Sequence, residues 1–444
     1  MIKHFILVQI IILSIIPEFL KAQEQPFSLE ECINYAWENS TDISRANNSV
    51  DIQNAYLIKS KAERRPNLYF NGNQTLSSSS SYQYNKTEGT WTNINSANLS
   101  ISLNSEITLY NGAKLKNTIA QGKTNLTVSE TDIQTQKELI SLNVLSSYIV
   151  ALLAIENVKN YEAQLKSTEK QLELAEARKS VGIISTSDFL NIKSQYASDK
   201  ATFIDAENTL RINLVALMQL MNMPIDYSFT IQEPNIDSLI KNTPETDANL
   251  IYNIALGLQP SIKSAKLNLE STQMNIKIAQ ADALPQLSLG GSIGTGYNSA
   301  MQYNNFSEQF SNKVVPTIGL SLSVPIFQRK KVKTNVTIAN IQTQNEELTL
   351  IDLKNDLRKY IEQACIDYQT ASSNYLALQE QYDAENESYH LSDEMFTQGM
   401  INSVDFLTSK NNLVTAENKL TQTKYNVLLQ NKIIDYYMGK SIIF

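Results

Sequence analysis

Two stretches decide the fold of this chain: Gly182-Ile183-Ile184-Ser185-Thr186-Ser187-Asp188-Phe189-Leu190 and, later, Gly399-Met400-Ile401-Asn402-Ser403-Val404-Asp405-Phe406-Leu407. The second stretch follows the first by about 217 positions, and residues 63–68 correspond to 282–287 at an offset of about 219. The offset changes by only about two residues, which indicates that one unit has been duplicated. Each copy contains, in order, a helix, two strands, a long helix, a glycine turn and a final helix. We predict a first repeat over 23–225, a linker over 226–243 and a second repeat over 244–444.

The helical parts of both copies carry the alternating three-and-four spacing of a coiled-coil seam. After the first glycine turn the seam begins Phe189, Ile192 and Tyr196, and the second copy continues from Phe406 in the same register. Residues 113–181 contain one glycine and no proline, which permits a helix of about 68 residues and roughly 100 Å. The predicted helices are 28–64, 111–181 and 187–222 in the first repeat and 246–283, 329–398 and 404–438 in the second.

Two packing arrangements fit these helices. One is an ordinary antiparallel helical bundle, and the other is a curved α-helical wall with one face on neighbouring helices and one on water. The wall is favoured, because no helix shows the broad apolar stripe that a closed globular core requires. Such a wall predicts a tube or a long spacer.

Between the helices the apolar period changes from 3.6 to 2, which indicates strands. The predicted strands are 67–76, 97–110, 286–297 and 314–327. Each is long enough to cross a bilayer at a tilt of about 45°. Aromatic residues lie near the strand ends, where an interfacial belt is expected: Tyr69, Tyr110, Tyr297 and Phe327. The intervening segments 77–95 and 298–313 are rich in Ser, Asn and Tyr and are predicted to be solvent-facing loops.

Hairpins with one apolar face can also pack on a soluble core. Here the alternation occurs together with an export signal, very long helices and hairpins at equal positions in a duplication, so a membrane β-barrel is favoured. Four strands leave two open edges, which lipid does not tolerate. The sequence therefore predicts a homo-oligomer that shares one barrel around a pore.

Residues 1–22 are typical of a secretory signal peptide, with Lys3, an apolar run over 5–16 and Ala22 before the cut. No cysteine follows the cut, so a lipid anchor is not expected there. Cys32 and Cys365 are interpreted as two buried thiols, with a disulfide left open.

Composition excludes several function classes. The formal net charge of −8 argues against nucleic-acid binding. Only two histidines occur, so we expect neither histidine catalysis nor a His/Cys metal site, and no cofactor. No nucleophile–base cluster is present, and an enzyme is not predicted.

The chain resembles TolC-type outer-membrane efflux proteins over essentially all of its predicted mature length. The stretches that carry the resemblance are Phe27-Ser28-Leu29-Glu30-Glu31, Ala283-Leu284-Pro285-Gln286-Leu287, Ser323-Val324-Pro325-Ile326-Phe327 and the two Gly-x5-Asp-x-Leu turns. The resemblance implies a homotrimer with a twelve-stranded β-barrel and a helical tunnel across the periplasm. It also implies a periplasmic adaptor (membrane fusion protein) and an inner-membrane pump as partners.

The turns are predicted to contain the functional residues. Ser185 and Asn402 suit N-caps, with Asp188 and Asp405 three residues on, so helix capping is one interpretation of both aspartates. In the family, acidic residues at the position of Asp405 surround the inner aperture and attract cations. Where some members carry an arginine, a second acidic residue and a tyrosine for the gate, this chain has Ile401, Thr408 and Phe396, so we expect apolar packing to close it.

The exposed turn residues resemble the family's adaptor contacts, or they pack one helix hairpin on another. These residues are Gly182, Ile183, Ile184, Gly399, Met400 and Ile401. The predicted function is a passive export conduit. The alternative is a secreted coiled-coil spacer or adhesin without a pore. The exported substrate cannot be read from the sequence, since drug efflux, metal efflux and protein secretion share this kind of conduit.

Overall fold

The computed structural model describes residues 26–85, 88–240, 243–301, 305–442 and 444; the predicted signal peptide lies outside them. The helices are α1 (Leu29–Asn39), α2 (Thr41–Ala62), α3 (Lys114–Ser180), α4 (Thr186–Leu220), α5 (Ile236–Leu239), α6 (Ala248–Leu258), α7 (Pro260–Ala281), α8 (Phe306–Asn312), α9 (Lys331–Thr397) and α10 (Ser403–Tyr437). The strands are β1 (Tyr69–Asn85), β2 (Glu88–Asn111), β3 (Gln286–Asn298) and β4 (Val315–Ser323). The chain is mainly helical with one small antiparallel sheet.

Two of the predicted helices are interrupted, and the predictions 28–64 and 246–283 are wrong as single helices. In the first repeat Ser40 is extended (φ −67°, ψ 127°), and its hydroxyl accepts from the backbone N–H of Asp42 (3.1 Å) as an N-cap. In the second repeat Gln259 is extended before Pro260, since a residue preceding proline disfavours the helical region. The two breaks lie about 219 positions apart, so the break is part of the duplicated unit.

The chain divides into two compact units, and these do not follow the repeats. The first unit contains the described residues up to Arg45, Ile133–Pro260 and Lys354–Phe444; the second contains Ala46–Asp132 and Ser261–Leu353. Each unit therefore combines segments from both copies of the duplication. The predicted linker over 226–243 separates the two duplicated copies in the sequence, but it does not separate the two compact units of the structure.

The first unit has a core built from both repeats. Tyr148 on α3, Met218 on α4 and Leu428 on α10 are all buried in one apolar cluster. The hydroxyl of Tyr148 donates to the carbonyls of Phe27 (3.0 Å) and Gln232 (2.7 Å), so its polar end is satisfied inside the core. Among the described helices α3 alone is long and apolar enough to cross a membrane, but half of that window is buried, as in a core helix.

Both cysteines of the chain belong to the first unit. Cys32 and Cys365 are buried and free, which answers the question that the sequence left open. Burial raises the pKa of the Cys32 thiol to about 12, so it stays protonated and unreactive at neutral pH.

The second unit contains the sheet, in the order β1-β2-β3-β4 with antiparallel pairing throughout. The predicted loop 77–95 is wrong, because β1 and β2 remain paired as far as Asn85 and Glu88. Serines that suggested a loop instead bond across the strands: the hydroxyls of Ser77 and Ser96 are 2.7 Å apart. In the predicted loop 298–313, Phe306–Asn312 forms α8.

Candidate functional site

The strand register sorts the side chains of the sheet onto two chemically different faces. Directly opposed residues of antiparallel strands share a face. One face carries the apolar rows Phe70–Leu103–Ile293–Pro316 and Ile107–Leu289–Leu320. The other face carries the polar row Tyr69–Asn104–Ser292–Thr317. The sheet therefore presents one face suited to lipid and one suited to water.

The apolar face is uncovered at both edges of the sheet. On β4 the side chains of Ile318, Leu320 and Leu322 are all exposed, and on β1 Phe70 and Leu76 are exposed as well. An uncovered face of this kind marks a membrane or protein contact.

The aromatic residues predicted at the strand ends are mostly exposed. This holds for Tyr69, Tyr110 and Phe327, whereas Tyr297 packs on Phe306 with ring centroids 5.2 Å apart.

The two glycine turns, residues 181–185 (first turn) and 398–402 (second turn), belong to the first unit and have the same backbone. Gly182 and Gly399 are left-handed, with φ of +76° and +75°. In each turn the N–H after the glycine bonds to the carbonyl five residues earlier, as in a Schellman motif; the Ile183–Arg178 bond is 2.9 Å and the Met400–Met395 bond 2.8 Å. A Cβ at either glycine would meet nothing within 4 Å, so the positive φ alone requires glycine.

Asp188 joins the first turn to the start of α10. Its Oδ2 accepts from the hydroxyl of Ser185 (2.6 Å), and Ser185 in turn accepts from the Asp188 N–H (3.1 Å) in a capping arrangement. Its Oδ1 accepts from the hydroxyl (2.6 Å) and N–H (3.3 Å) of Ser403. The hydrogen bonds from Ser185 and Ser403 lower the pKa of Asp188, so the carboxylate is charged at neutral pH.

Asp405 occupies the equivalent place in the second turn but has a different environment. Asn402 caps α10 by accepting from the N–H groups of Val404 and Asp405, both at 2.9 Å. The Asp405 side chain is exposed, and no side chain or N–H among the described residues bonds to its carboxylate. Thr408, one turn further on, is also exposed, and its hydroxyl donates to the Val404 carbonyl (2.8 Å). Asp188 is therefore tied into the turn by hydrogen bonds, whereas the carboxylate of Asp405 is exposed to solvent.

Phe396 packs against the second turn through an aromatic contact. Its ring stacks on the fully buried ring of Phe406, with centroids 4.7 Å apart and planes at 12°. Phe406 also meets Tyr389, with centroids 6.0 Å apart. Ile401 is half-buried. The helices that flank the second turn are thus in contact through aromatic packing within the chain, and the closure of the gate by Phe396 and Ile401 stays a prediction.

A buried polar cluster that sequence reasoning missed lies in the same unit. Lys410 on α10 and Asp199 on α4 are only 3% and 4% exposed, and Lys410 Nζ lies 3.8 Å from Asp199 Oδ2. Thr168 on α3 bonds to both of them. Gln164 and Gln195 donate to Asp199 Oδ1 at 2.9 and 2.8 Å. The cluster therefore joins α3, α4 and α10.

Burial dominates the electrostatics of this cluster. It lowers the pKa of Lys410, and the nearby carboxylates of Asp199 and Asp393 oppose that shift. One signal in the sequence pointed to the cluster: Thr168 and Asp199 both stand at seam positions where apolar residues are expected.

The tips of the two turns expose apolar side chains. Ile183 is 71% exposed and Met400 is 67% exposed, whereas Ile184 and Ile401 are half-buried. Ile183 and Met400 are therefore accessible on the surface of the chain, whereas Ile184 and Ile401 are partly covered by the chain itself.

Comparison with known proteins places this geometry in a family. The family model described as "Outer membrane efflux protein" matches residues 32–223 and 251–440, which is one match for each repeat. The chain belongs to the outer membrane efflux protein family. It is accordingly an outer-membrane protein, and its two matched segments coincide with the two copies of the duplicated unit.

Individual members of the outer membrane efflux protein family resemble the chain at low identity. Outer membrane protein TolC of Salmonella enteritidis is 25% identical over 78% of this chain and 70% of its own length. Alkaline protease secretion protein AprF of Pseudomonas aeruginosa is 22% identical over 72% of this chain and 65% of its own length. The open-state structure of the Neisseria gonorrhoeae MtrE outer membrane channel aligns with a TM-score of 0.75, at 18% identity, over 94% of this chain and 90% of that one.

Proposed function

We propose that three copies of this outer membrane efflux protein form a passive channel, with their twelve strands closing one barrel. The channel conducts substrates outward from a periplasmic adaptor and an inner-membrane pump, which supplies the energy. One of the similar proteins is named an alkaline protease secretion protein, and another is described as an outer membrane channel. Both names support this role. In this proposal the chain contributes the conduit, and the pump and adaptor select the substrate.

The observation that carries the proposal is the incomplete two-faced sheet. The apolar face with Ile318, Leu320 and Leu322 exposed suits lipid, and the polar face suits a water-filled lumen. Strands β1 and β4 each pair on one side only, and an open edge in lipid leaves backbone groups unsatisfied. Identical chains supply the missing neighbours most simply through a closed rotational symmetry.

In this proposal the two glycine turns form the inner, periplasmic end of the channel. Asp405 lines the aperture and attracts cations, because three carboxylates near one axis create a negative ring. Ile183 and Met400 form the apolar contact with the adaptor, since exposed apolar tips mark partner sites.

Two neighbouring substitutions test the barrel. Leu320→Arg places a charge on the apolar face, which costs about 2–4 kcal/mol near the bilayer midplane, whereas Ser321→Arg places the same charge on the polar face. We expect Leu320→Arg to abolish trimers in the outer membrane fraction. Ser321→Arg should retain trimers and alter ion selectivity in planar bilayers. Equal behaviour of both variants, or a mature wild-type chain soluble as a monomer without detergent, contradicts the channel and indicates a secreted coiled-coil protein.

A further inference from the structure

The helix-facing end of the sheet concentrates positive charge in a chain whose overall charge is negative. Two acidic residues, Glu63 and Asp282, flank the strands at this end, together with seven described basic residues: Arg64, Arg65, Lys114, Lys116, Arg329, Lys330 and Lys331. At the opposite end the described charged residues beside the strands are Glu88, Glu308 and Lys313. The charge asymmetry is local and would not be inferred from the net charge of −8.

Three of these cations line one cleft of the second unit, about 1040 Å³ in volume, together with Glu63 and Asp282. Lys114 pairs with Asp282 at 2.6 Å. Arg329 and Lys331 are exposed, and no carboxylate of the described residues lies within ion-pair distance of either. Two cations in the cleft are therefore available to an anion.

An exposed aromatic side chain borders the same cleft. Phe327 lines it and is 82% exposed, and its neighbour Ile326 is 96% exposed. Arg329 and Lys330 follow in left-handed backbone conformations, with φ of +49° and +64°. Such conformations are uncommon and costly for residues with a Cβ. These two residues begin a run of three consecutive basic residues, which Gln328 separates from the exposed side chains of Ile326 and Phe327.

We propose that this cleft binds the headgroup of an anionic glycerophospholipid in the periplasmic leaflet. Arg329 and Lys331 contact the phosphate, and the acyl chains lie against Ile326 and Phe327. The inference rests on the proposed function, because the cleft reaches headgroup level only if the sheet spans the membrane. Charge complementarity favours an anionic lipid over a zwitterionic one, since a basic cluster gains affinity from each anionic headgroup.

Native mass spectrometry of the full detergent-released channel tests the site, with phosphatidylglycerol and phosphatidylethanolamine as probes. The double variant Arg329→Gln/Lys331→Gln should bind phosphatidylglycerol about 25-fold more weakly, at about fivefold for each charge removed. The matched control Lys193→Gln/Lys200→Gln removes two exposed cations from α4 and should bind both lipids as the wild type does.

The possible results separate this inference from the proposed function. Equal phosphatidylglycerol binding by the double variant and the wild type overturns the lipid site. Complete displacement of phosphatidylglycerol by millimolar inorganic phosphate also overturns it, because the cleft would then be a site for a free anion. A double variant that conducts like the wild type but has lost the lipid supports both proposals. A wild-type chain that forms no conducting oligomer overturns the channel, and the lipid site with it.

Discussion

The two glycine turns of this outer membrane efflux protein share a backbone and differ in their side-chain chemistry. Both have a left-handed glycine, the same Schellman bond and an aspartate at the third position of the next helix. Yet Asp188 accepts hydrogen bonds from Ser185 and Ser403, whereas Asp405 is exposed. The duplication has kept the positions that backbone geometry fixes, and it has allowed the others to diverge.

The same divergence occurs in the contact behind each turn. In the first repeat the ammonium of Lys179 lies 4.3 Å from the ring centroid of Phe189, a cation–π contact. In the second repeat the equivalent pair is Phe396 and Phe406, which stack. Equivalent positions thus touch in both copies, but the first contact joins an exposed cation to a half-buried ring, and the second joins a half-buried ring to a fully buried one.

The largest difference between the copies is expected at an equivalent pair of lysines, buried Lys410 and exposed Lys193. Lys410→Met should lower the free energy of unfolding by about 3–5 kcal/mol, because it leaves the carboxylate of Asp199 buried without its cation. Lys193→Met should change it by less than about 0.5 kcal/mol. Chemical unfolding of the first unit's helices, followed by circular dichroism, measures both.

A double variant separates the ion pair from simple packing. Lys410→Met/Asp199→Leu should recover most of the lost stability, since a matched apolar pair can replace a buried ion pair. A double variant as unstable as Lys410→Met alone would show that Asp199 is not the partner whose charge matters.

The second comparison uses the equivalent phenylalanines. Phe406→Ala should lower the free energy of unfolding by about 3–5 kcal/mol, because truncating this fully buried ring leaves a cavity. Phe189→Ala should cost only about 1–2 kcal/mol, since it loses partial burial and one cation–π contact. Thermal melts of the two variants under identical detergent conditions compare them directly. Equal losses would show that the two contacts have the same energetic role.

The third comparison concerns the capping role of the aspartates. Asp188→Ala should cost about 1–2 kcal/mol at neutral pH, because it removes the carboxylate that accepts hydrogen bonds from Ser185 and Ser403. The pKa of Asp188 is lowered on folding, so its contribution is fully present above the unfolded pKa near 3.8 and is lost as pH falls below it. The stability difference between wild type and variant should therefore shrink below about pH 4. Asp405→Ala should change stability little at either pH.

Substitution of Asp405 is expected to change stability least of all, but it should change ion conduction. Asp405→Asn should weaken the cation preference or cation block of single channels in planar bilayers, because it removes the exposed charge at the tip. Asp188→Asn should leave both properties as in the wild type. Loss of cation preference in the Asp188 variant instead would place the aperture at the first turn.

The sequence predicted the elements that depend on periodicity and on glycine. The alternation over 286–297 corresponds to β3, and the left-handed φ at Gly182 and Gly399 was expected from their positions past helix ends. The breaks at Ser40 and Gln259 were missed, although an N-cap serine and a residue before proline are recognisable signals.

The site was less predictable than the fold. Ser403 is one of many serines in the chain, and only the tertiary structure brings it to Asp188, 2.6 Å away. The Lys410–Asp199 cluster depends on three helices that are distant in sequence, so neither its ion pair nor its burial follows from local pattern. Polar residues at seam positions indicate that each has a buried hydrogen-bond or ion-pair partner, but they do not identify that partner.

The bond from Ser403 to Asp188 has a consequence for the symmetry of the assembled channel. In the proposed trimer, three duplicated chains would bring six aspartates to the turns, a pseudo-sixfold arrangement of negative charge. In each chain Ser403 holds the carboxylate of Asp188 by a hydrogen bond, and Asp188 keeps its negative charge, whereas Asp405 stays exposed. In that proposed trimer, the inner mouth would carry three exposed carboxylates of Asp405 and three hydrogen-bonded carboxylates of Asp188, so the symmetry of the freely accessible ion ligands would be threefold rather than sixfold.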